Sequence, residues 1–126
     1  MTDTHAFLAG KRCLVLEDEF LIALDIRQTL ESAGAAVTCF GDAAETLRAL
    51  QSGARFDLAV LDLKLSGSDS TGVAALLTER ATPFVFLTGM RPDDVRSFRH
   101  APVVEKPYQV EALMAALRRV LAGRDG

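Results

Sequence analysis

The sequence contains no uninterrupted apolar stretch of about 18 or more residues, the length that a helix needs to cross a membrane. Its first residues lack the basic segment and apolar run of a secretory signal, so we expect a cytoplasmic protein. Positive charge is not in excess either, because 14 Lys and Arg stand against 17 Asp and Glu, for a net charge of −3. We therefore expect neither nucleic acid nor a membrane among its direct partners.

Cysteine is scarce, and glycine is absent from the segment where a nucleotide-binding enzyme would need it. Cys13 and Cys39 cannot form a disulfide framework, and no histidine stands near them at the spacing of a metal site. No glycine occurs between Cys13 and Glu31, so the first apolar run is not followed by a loop that could cradle the phosphates of a nucleotide or flavin. These absences predict buried thiols and argue against a nucleotide or flavin enzyme.

The composition is that of one folded domain. The chain has 126 residues, of which 49% are hydrophobic and 25% are charged, so it can bury a core and is not disordered. We expect the domain to span residues 11–122, with short tails at 1–10 and 123–126.

Short apolar runs alternate with longer amphipathic segments along this domain. The runs predict five strands, at 13–16, 36–40, 56–63, 83–87 and 102–105. Strands separated by helices run parallel, with right-handed crossovers, so the pattern predicts an α/β fold with helices on both faces of the sheet.

The predicted helices have recognisable sequence features. The first, at 20–30, is indicated by apolar residues at helical spacing: Phe20, Leu21, Leu24 and Leu30. Gly34 and Gly53 are expected to end the first two helices, and Asp42 to cap the second at its start. Further helices are predicted around 73–80 and 110–121. Residues 91–101 are ambiguous, since only Val95 and Phe98 offer apolar contacts.

Polar residues follow the predicted strands. Glu17-Asp18-Glu19 stands at the end of the first strand, Asp62 at the end of the third and Thr88 at the end of the fourth, and Lys106 is next to the fifth. Each motif alone is also typical of helix ends and turns. In an open parallel sheet, however, the carboxyl ends of the strands meet at the ligand-binding edge. Carboxylates that close together need a neutralising cation, and with a lysine and a hydroxyl they predict a site for Mg²⁺ and a phosphoryl group.

Four segments in this order resemble the response regulator receiver domain, the phosphoacceptor module of two-component signalling. They lie at 14–19 (LVLEDE), 58–63 (LAVLDL), 87–89 (LTG) and 105–108 (EKPY). The similarity extends over about residues 11–121. It implies a flavodoxin-like (βα)5 fold with a doubly wound parallel five-stranded sheet in the order 2-1-3-4-5.

The resemblance also implies roles for individual residues. Asp62 would accept the phosphoryl group. Asp18, Asp62 and the backbone carbonyl of Lys64 would bind Mg²⁺ directly, and Glu17 mainly through water.

Two further residues would contact the phosphoryl group. Thr88 would bond to one phosphoryl oxygen after transfer, and Lys106 would pair with another. Family members usually have a cis peptide at the position of Lys106-Pro107. The donor would be a sensor histidine kinase or a phosphotransfer protein. The protein would thus catalyse only its own phosphorylation and dephosphorylation.

The sequence departs from common receivers in the segment around the fourth strand. It resembles an atypical stand-alone group sometimes called FAT-GUY. Residues Phe86, Thr88 and Gly89 match the pattern in that name, and Leu87 and Met90 do not. Members of this group are implied to have a mobile fourth helix, and we predict that 91–101 is short, poorly ordered, and ordered by phosphorylation or a partner.

Two other positions are unusual. Val103 stands where many receivers carry an aromatic side chain that reports phosphorylation, so a switch of that kind is in doubt. Lys64, two residues past Asp62, is predicted to project over the phosphoryl site and to change the lifetime of the phosphoryl group.

Other functions stay open. A Mg²⁺-dependent phosphatase-like α/β enzyme would need a second acid where Lys64 stands, and a receiver-fold binding module without phosphorylation would not need the full set of polar residues. Only residues 122–126 follow Leu121, so we expect a stand-alone regulator without an output domain. It would act on an unknown downstream protein, or as a phosphate shuttle or sink.

Overall fold

The computed structural model of the chain describes residues 6–89, 98 and 100–125. Seven strands and four helices occur in these residues. In chain order they are β1 (Arg12–Leu16), α1 (Phe20–Ser32), β2 (Ala36–Phe40), α2 (Ala43–Gln51), β3 (Leu58–Asp62), β4 (Lys64–Leu65), β5 (Ser68–Asp69), α3 (Thr71–Glu79), β6 (Phe84–Thr88), β7 (Val103–Glu105) and α4 (Val110–Asp125).

Five of the strands form one parallel sheet in the order β2-β1-β3-β6-β7. The other two, β4 and β5, are two residues each and form a separate antiparallel hairpin directly after β3. With the hairpin set aside, the order is 2-1-3-4-5, which confirms the prediction. The predicted segment 91–101 lies outside the described residues, apart from Phe98, His100 and Ala101.

The core consists of two layers, one on each face of the sheet. Every residue of β3 and β6 is buried, which explains why these strands appear in the sequence as continuous apolar runs rather than as an alternating pattern. Successive side chains of β1 point to opposite faces. Cys13 and Val15 pack with α1 and α4, whereas Leu14 and Leu16 pack with α2 and α3.

Most of the residues whose spacing predicted α1 do not face this core. The buried positions of α1 are Ala23, Ile26 and Leu30, of which only Leu30 belonged to the predicted set. Phe20 is 76% exposed and Leu21 is 75% exposed, and Leu24 also faces solvent. The small Ala23 takes the inward position in the first turn, whereas the larger Phe20 and Leu21 face outward.

The expected helix ends are present. The Asp42 carboxylate accepts hydrogen bonds from the backbone N–H groups of Ala44 and Glu45 at the start of α2. Gly34 and Gly53 follow α1 and α2 with φ angles of 101° and 106°, a region that favours glycine.

Both thiols are free, as predicted. Cys13 is buried and Cys39 is half-buried. Burial raises the pKa of the Cys13 thiol to about 12 and also raises that of Cys39, so neither is a reactive thiolate at neutral pH.

Packing extends beyond residue 11 toward the N-terminus. Leu8 is fully buried in the layer beneath α1 and α4, and its N–H donates to the carbonyl of Ala33. At the other end of the chain, α4 continues to Asp125. No helix among the described residues is both long and apolar enough to cross a membrane.

The packing of Gly34 against Ala9 gives a stability test with a matched control. A Cβ atom at Gly34 would lie 2.8 Å from the Ala9 Cα, whereas a Cβ at Gly53 would meet nothing within 4 Å. Both positions have positive φ, so both alanine variants carry backbone strain of about 1–3 kcal/mol. We expect Gly34→Ala to lower the free energy of unfolding by a further ~1–3 kcal/mol beyond Gly53→Ala, because of the additional clash. Urea unfolding of both variants measures this difference, and equal losses would show that the Ala9 contact yields easily.

Candidate functional site

The carboxyl ends of the parallel strands carry the polar residues. Asp62 is the last residue of β3 and Thr88 the last of β6, and Glu17 follows directly after β1. Lys106 follows β7, and its N–H donates to the backbone carbonyl of Thr88 at 2.9 Å. Parallel pairing places these four ends at one edge of the sheet, although they are far apart in sequence.

The three acids expected at this edge lie together. One carboxylate oxygen from each of Glu17, Asp18 and Asp62 lies within 4.8 Å of the others. Glu17 and Asp62 are each 3% exposed, and Asp18 is half-buried. Carboxylates at this distance repel one another unless a cation or hydrogen bonds offset their charge.

Lys106 offsets part of that charge. Its Nζ lies 3.0 Å from Glu17 Oε1 and 3.0 Å from Asp62 Oδ2. Burial acts to lower the pKa of the Lys106 ammonium, but the hydrogen bonds and charges of the two carboxylates outweigh burial and raise it above its usual range. Lys106 therefore stays charged, and one ammonium faces three acids.

Glu17 is the most constrained of the acids. Its Oε2 accepts a hydrogen bond from the backbone N–H of Glu19 at 3.0 Å, while Oε1 has the ion pair with Lys106 but no well-directed hydrogen bond. Burial raises the pKa of this carboxyl, against the opposing effects of the Glu19 N–H and Lys106. A buried carboxylate oxygen without a hydrogen bond is a ready ligand for a cation.

Asp18 is held from the opposite side of the site. The backbone N–H of Ser66, in the turn between β4 and β5, donates to Asp18 Oδ2 at 2.7 Å. The pKa of Asp18 is lowered, mainly by a hydrogen bond from the Ser66 hydroxyl and also by the one from the Ser66 backbone N–H. Burial acts in the opposite direction but is outweighed.

The donors at this edge fit a hard divalent cation. All three candidate ligands are carboxylate oxygens, which Mg²⁺ prefers, and one of them, Glu17 Oε1, lacks a hydrogen bond. The cluster also has more negative charge than Lys106 balances. The residues present therefore fit Mg²⁺, as the sequence predicted.

The structure also locates three other residues that the sequence analysis singled out. Thr88 is 1% exposed at the end of β6. Lys64 is exposed and pairs across the β4–β5 hairpin with Asp69. Val103 is half-buried and pairs with Phe86 across the edge of the sheet.

Two contacts in this part of the structure were not predicted from the sequence. The first is the hydrogen bond from the Ser66 N–H to Asp18, and the second is a hydrogen bond that the Tyr108 hydroxyl donates to Asp25 on α1. Tyr108 also packs against the core. Neither contact has a local sequence signal, because the partners are 48 and 83 residues apart.

Comparison with known proteins supports one family. The family model of the response regulator receiver domain matches residues 13–118. A response regulator receiver protein from Sinorhizobium medicae superposes with a TM-score of 0.84 at 29% identity, covering 93% of this chain and 98% of that one. SdrG from Sphingomonas melonis is 32% identical, with a TM-score of 0.73 and coverage of 88% and 96%.

A third structure shares the fold. It is the response regulator TrrA from Thermotoga maritima, solved in complex with Mg²⁺ and BeF, with 24% identity, a TM-score of 0.76 and coverage of 88% of this chain and 99% of that one. No sequence among the curated proteins matches this chain. Because the family match spans residues 13–118, and relatives share the fold over nearly the whole length, the chain belongs to the response regulator receiver domains of two-component signalling.

Proposed function

We propose that this receiver accepts a phosphoryl group on Asp62 from a phosphohistidine of a sensor histidine kinase or phosphotransfer protein. The observation that carries the proposal is the position of the Asp62 carboxylate, between two further acids and the Lys106 ammonium at the ligand-binding edge of the sheet. Once phosphorylated, it would act on a downstream protein or serve as a phosphate shuttle or sink. Its only chemistry would be its own phosphorylation and dephosphorylation.

The transfer step moves one phosphoryl group between two atoms. An Asp62 oxygen forms a bond to phosphorus while the phosphorus–nitrogen bond of the donor breaks, and the imidazole nitrogen leaves with the electron pair and takes up a proton. Lys106, whose Nζ lies 3.0 Å from Asp62 Oδ2, would stabilise the negative charge on the phosphoryl oxygens. Because Asp62 is only 3% exposed, we expect Lys106, which is half-buried above it, to shift as the donor approaches.

A magnesium ion would be held by Asp18 and Asp62, by Glu17 mainly through water, and by the backbone carbonyl of Lys64. When bound, it would neutralise the negative charge that the phosphoryl group and the carboxylates share. The geometry of the three acids supports this role, and the complex of TrrA with Mg²⁺ and BeF is consistent with it.

Phosphorylation would change the charge at Asp62, and Thr88 at the end of β6 would respond to that change. An aspartyl phosphate adds roughly one negative charge, and Thr88, the last residue of β6, would bond to it. Thr88 precedes the segment 91–101. That this segment becomes ordered on phosphorylation stays a prediction. That the protein belongs to the FAT-GUY group also stays a prediction. With Val103 in place of an aromatic residue, the readout would pass through this segment rather than through an aromatic side chain.

The upstream partner would meet an apolar surface beside the site. Phe20 and Leu21 expose most of their side chains at the start of α1, directly after the acids. Leu21 also borders a groove of about 270 Å³ whose other walls include Lys106, Pro107 and Tyr108. Exposed apolar side chains at this position would let a protein donor bind next to Asp62.

Asp62→Asn is the direct test of the acceptor. We expect the wild-type protein, incubated with Mg²⁺ and phosphoramidate, to gain one phosphoryl group, and Asp62→Asn to lose this labelling by at least about a hundredfold, because the amide is a far weaker nucleophile than the carboxylate. Intact-protein mass spectrometry measures the labelling. Asp57→Asn, directly before the amino end of β3, is the matched control and should be labelled normally. Labelling that persists in Asp62→Asn would refute the acceptor, and turnover without labelling would favour a phosphatase-like enzyme.

Glu17→Gln is expected to stabilise the protein when Mg²⁺ is absent. Because burial raises the pKa of Glu17 in the folded state, the folded protein binds more protons than the unfolded chain at mildly acidic pH. Its stability therefore falls as the pH rises from the unfolded pKa of about 4.3 through the folded pKa. Above that window Glu17→Gln should gain about 1 kcal/mol in free energy of unfolding, the usual scale for one polar substitution.

The same variant should lose the stabilisation that Mg²⁺ gives. Urea unfolding at neutral pH, with EDTA and with excess MgCl2, measures both effects. We expect added Mg²⁺ to stabilise the wild type and to have much less effect on Glu17→Gln. A variant that is less stable than the wild type in EDTA would contradict the assigned cost of the buried charge.

Lys64→Ala tests whether the exposed lysine protects the phosphoryl group. Lys64 follows Asp62 by two residues, so we expect its removal to open the aspartyl phosphate to water and to shorten its lifetime about 2- to 10-fold, the effect of losing one weakly screened charge contact. The rate of phosphate release from phosphorylated protein measures this. Lys11→Ala, before the amino end of β1, is the control. An unchanged release rate in Lys64→Ala would remove the idea.

A further inference from the structure

Ser66 lies in the turn of the β4–β5 hairpin and touches the site from outside. Its backbone N–H donates to Asp18 Oδ2 at 2.7 Å, across 48 residues of sequence. Asp18 is the least buried of the three clustered acids. It is therefore the acid whose side chain would have the greatest freedom to rotate away from Glu17 and Asp62 if this contact were absent.

The hairpin is itself anchored to the sheet, which makes it a rigid support for that contact. Leu63, directly after Asp62, donates its N–H to the Leu87 carbonyl at 3.0 Å and accepts from the Ser70 N–H at 3.0 Å. Leu65 is 8% exposed and packs in the layer with α2 and α3. The position of Ser66 is thus determined by the strands that carry Asp62 and Thr88.

We infer that Ser66 is a positioning residue whose backbone N–H holds the Asp18 carboxylate in the orientation that binds a divalent cation together with Glu17 and Asp62. The inference rests on the proposed function, since it concerns the cation site of that function. A carboxylate has about four lone-pair positions, so one hydrogen bond to Oδ2 leaves others for a cation. Hydrogen-bond partners of metal ligands typically contribute about 10- to 100-fold in metal affinity.

The geometry of the turn makes it possible to remove this N–H cleanly. Leu65 pairs with Ser68, so Ser66 and Gly67 are the two central turn residues. Gly67 has φ of 77°, and Ser66 does not have positive φ. This is the pattern of a type II turn, which accepts proline at its first central position. Ser66→Pro should therefore keep the hairpin while removing the donor, and Ser66→Ala keeps the donor while removing the hydroxyl.

Calorimetric titration with MgCl2, without any phosphoryl donor, tests the inference. We expect Ser66→Pro to bind Mg²⁺ about 10- to 100-fold more weakly than the wild type. Ser66→Ala keeps the N–H and loses only the hydroxyl contact with Asp18, so its loss should be clearly smaller, about threefold at most. Wild-type affinity in Ser66→Pro would overturn the inference. An equal loss in both variants would also overturn it, because the hydroxyl rather than the backbone N–H would then hold Asp18.

Amide hydrogen exchange in metal-free protein tests the contact without proline. The Ser66 N–H should be protected in the wild type and exchange at least about tenfold faster in Asp18→Ala, which removes its acceptor. The N–H of Leu63, bonded to Leu87, is the internal control and should not change. Unchanged exchange at Ser66 would overturn the contact even if Ser66→Pro failed to fold.

The failure of this inference can be told apart from the failure of the proposed function. Labelling by phosphoramidate is measured in the same proteins at a saturating concentration of MgCl2. If the wild type is labelled but Ser66→Pro keeps full Mg²⁺ affinity, the function stands and the role of Ser66 falls. If the wild type binds Mg²⁺ more tightly than Ser66→Pro but is never labelled, the role of Ser66 stands and the acceptor assignment falls.

Discussion

The imbalance between three carboxylates and one ammonium at the carboxyl edge of the sheet is the constraint on which the rest of the site depends. Glu17, Asp18 and Asp62 lie within reach of one ion, and among the described residues only Lys106 forms ion pairs with this cluster. Burial of Glu17 makes this arrangement costly in the free protein, since its pKa is raised. The same excess of negative charge attracts a divalent cation. The cluster therefore lowers the stability of the metal-free protein and favours cation binding.

The fold keeps this cluster together by holding each member from a different element. Glu17 is oriented by the start of α1 through the Glu19 N–H, Asp62 by the fully buried strand β3, and Asp18 by the turn at Ser66. The hairpin is itself anchored to β3 and β6, so these supports are not independent of the sheet. The Glu19 N–H and the Ser66 N–H nevertheless contact different acids, so removing one of these two contacts would act first on a single ligand.

Much of the fold could be predicted from sequence because its signals are local. The continuous apolar runs of β3 and β6, the cap at Asp42 and the turn glycines Gly34 and Gly53 each depend on neighbouring residues only. The face of α1 could not be predicted in the same way. Apolar spacing indicates that a helix exists, but which side is buried depends on what lies beneath it, and Ala23 rather than Phe20 faces the sheet.

The order of strands and helices and the types of polar residue at the strand ends could be predicted from local patterns in the sequence. Parallel pairing then implied that Glu17, Asp62, Thr88 and Lys106 share one edge. The contacts of Ser66 with Asp18 and of Tyr108 with Asp25 became known only from the folded structure. These contacts join residues 48 and 83 positions apart, and hydrogen bonds over such separations follow from three-dimensional packing, which leaves no periodic trace along the chain.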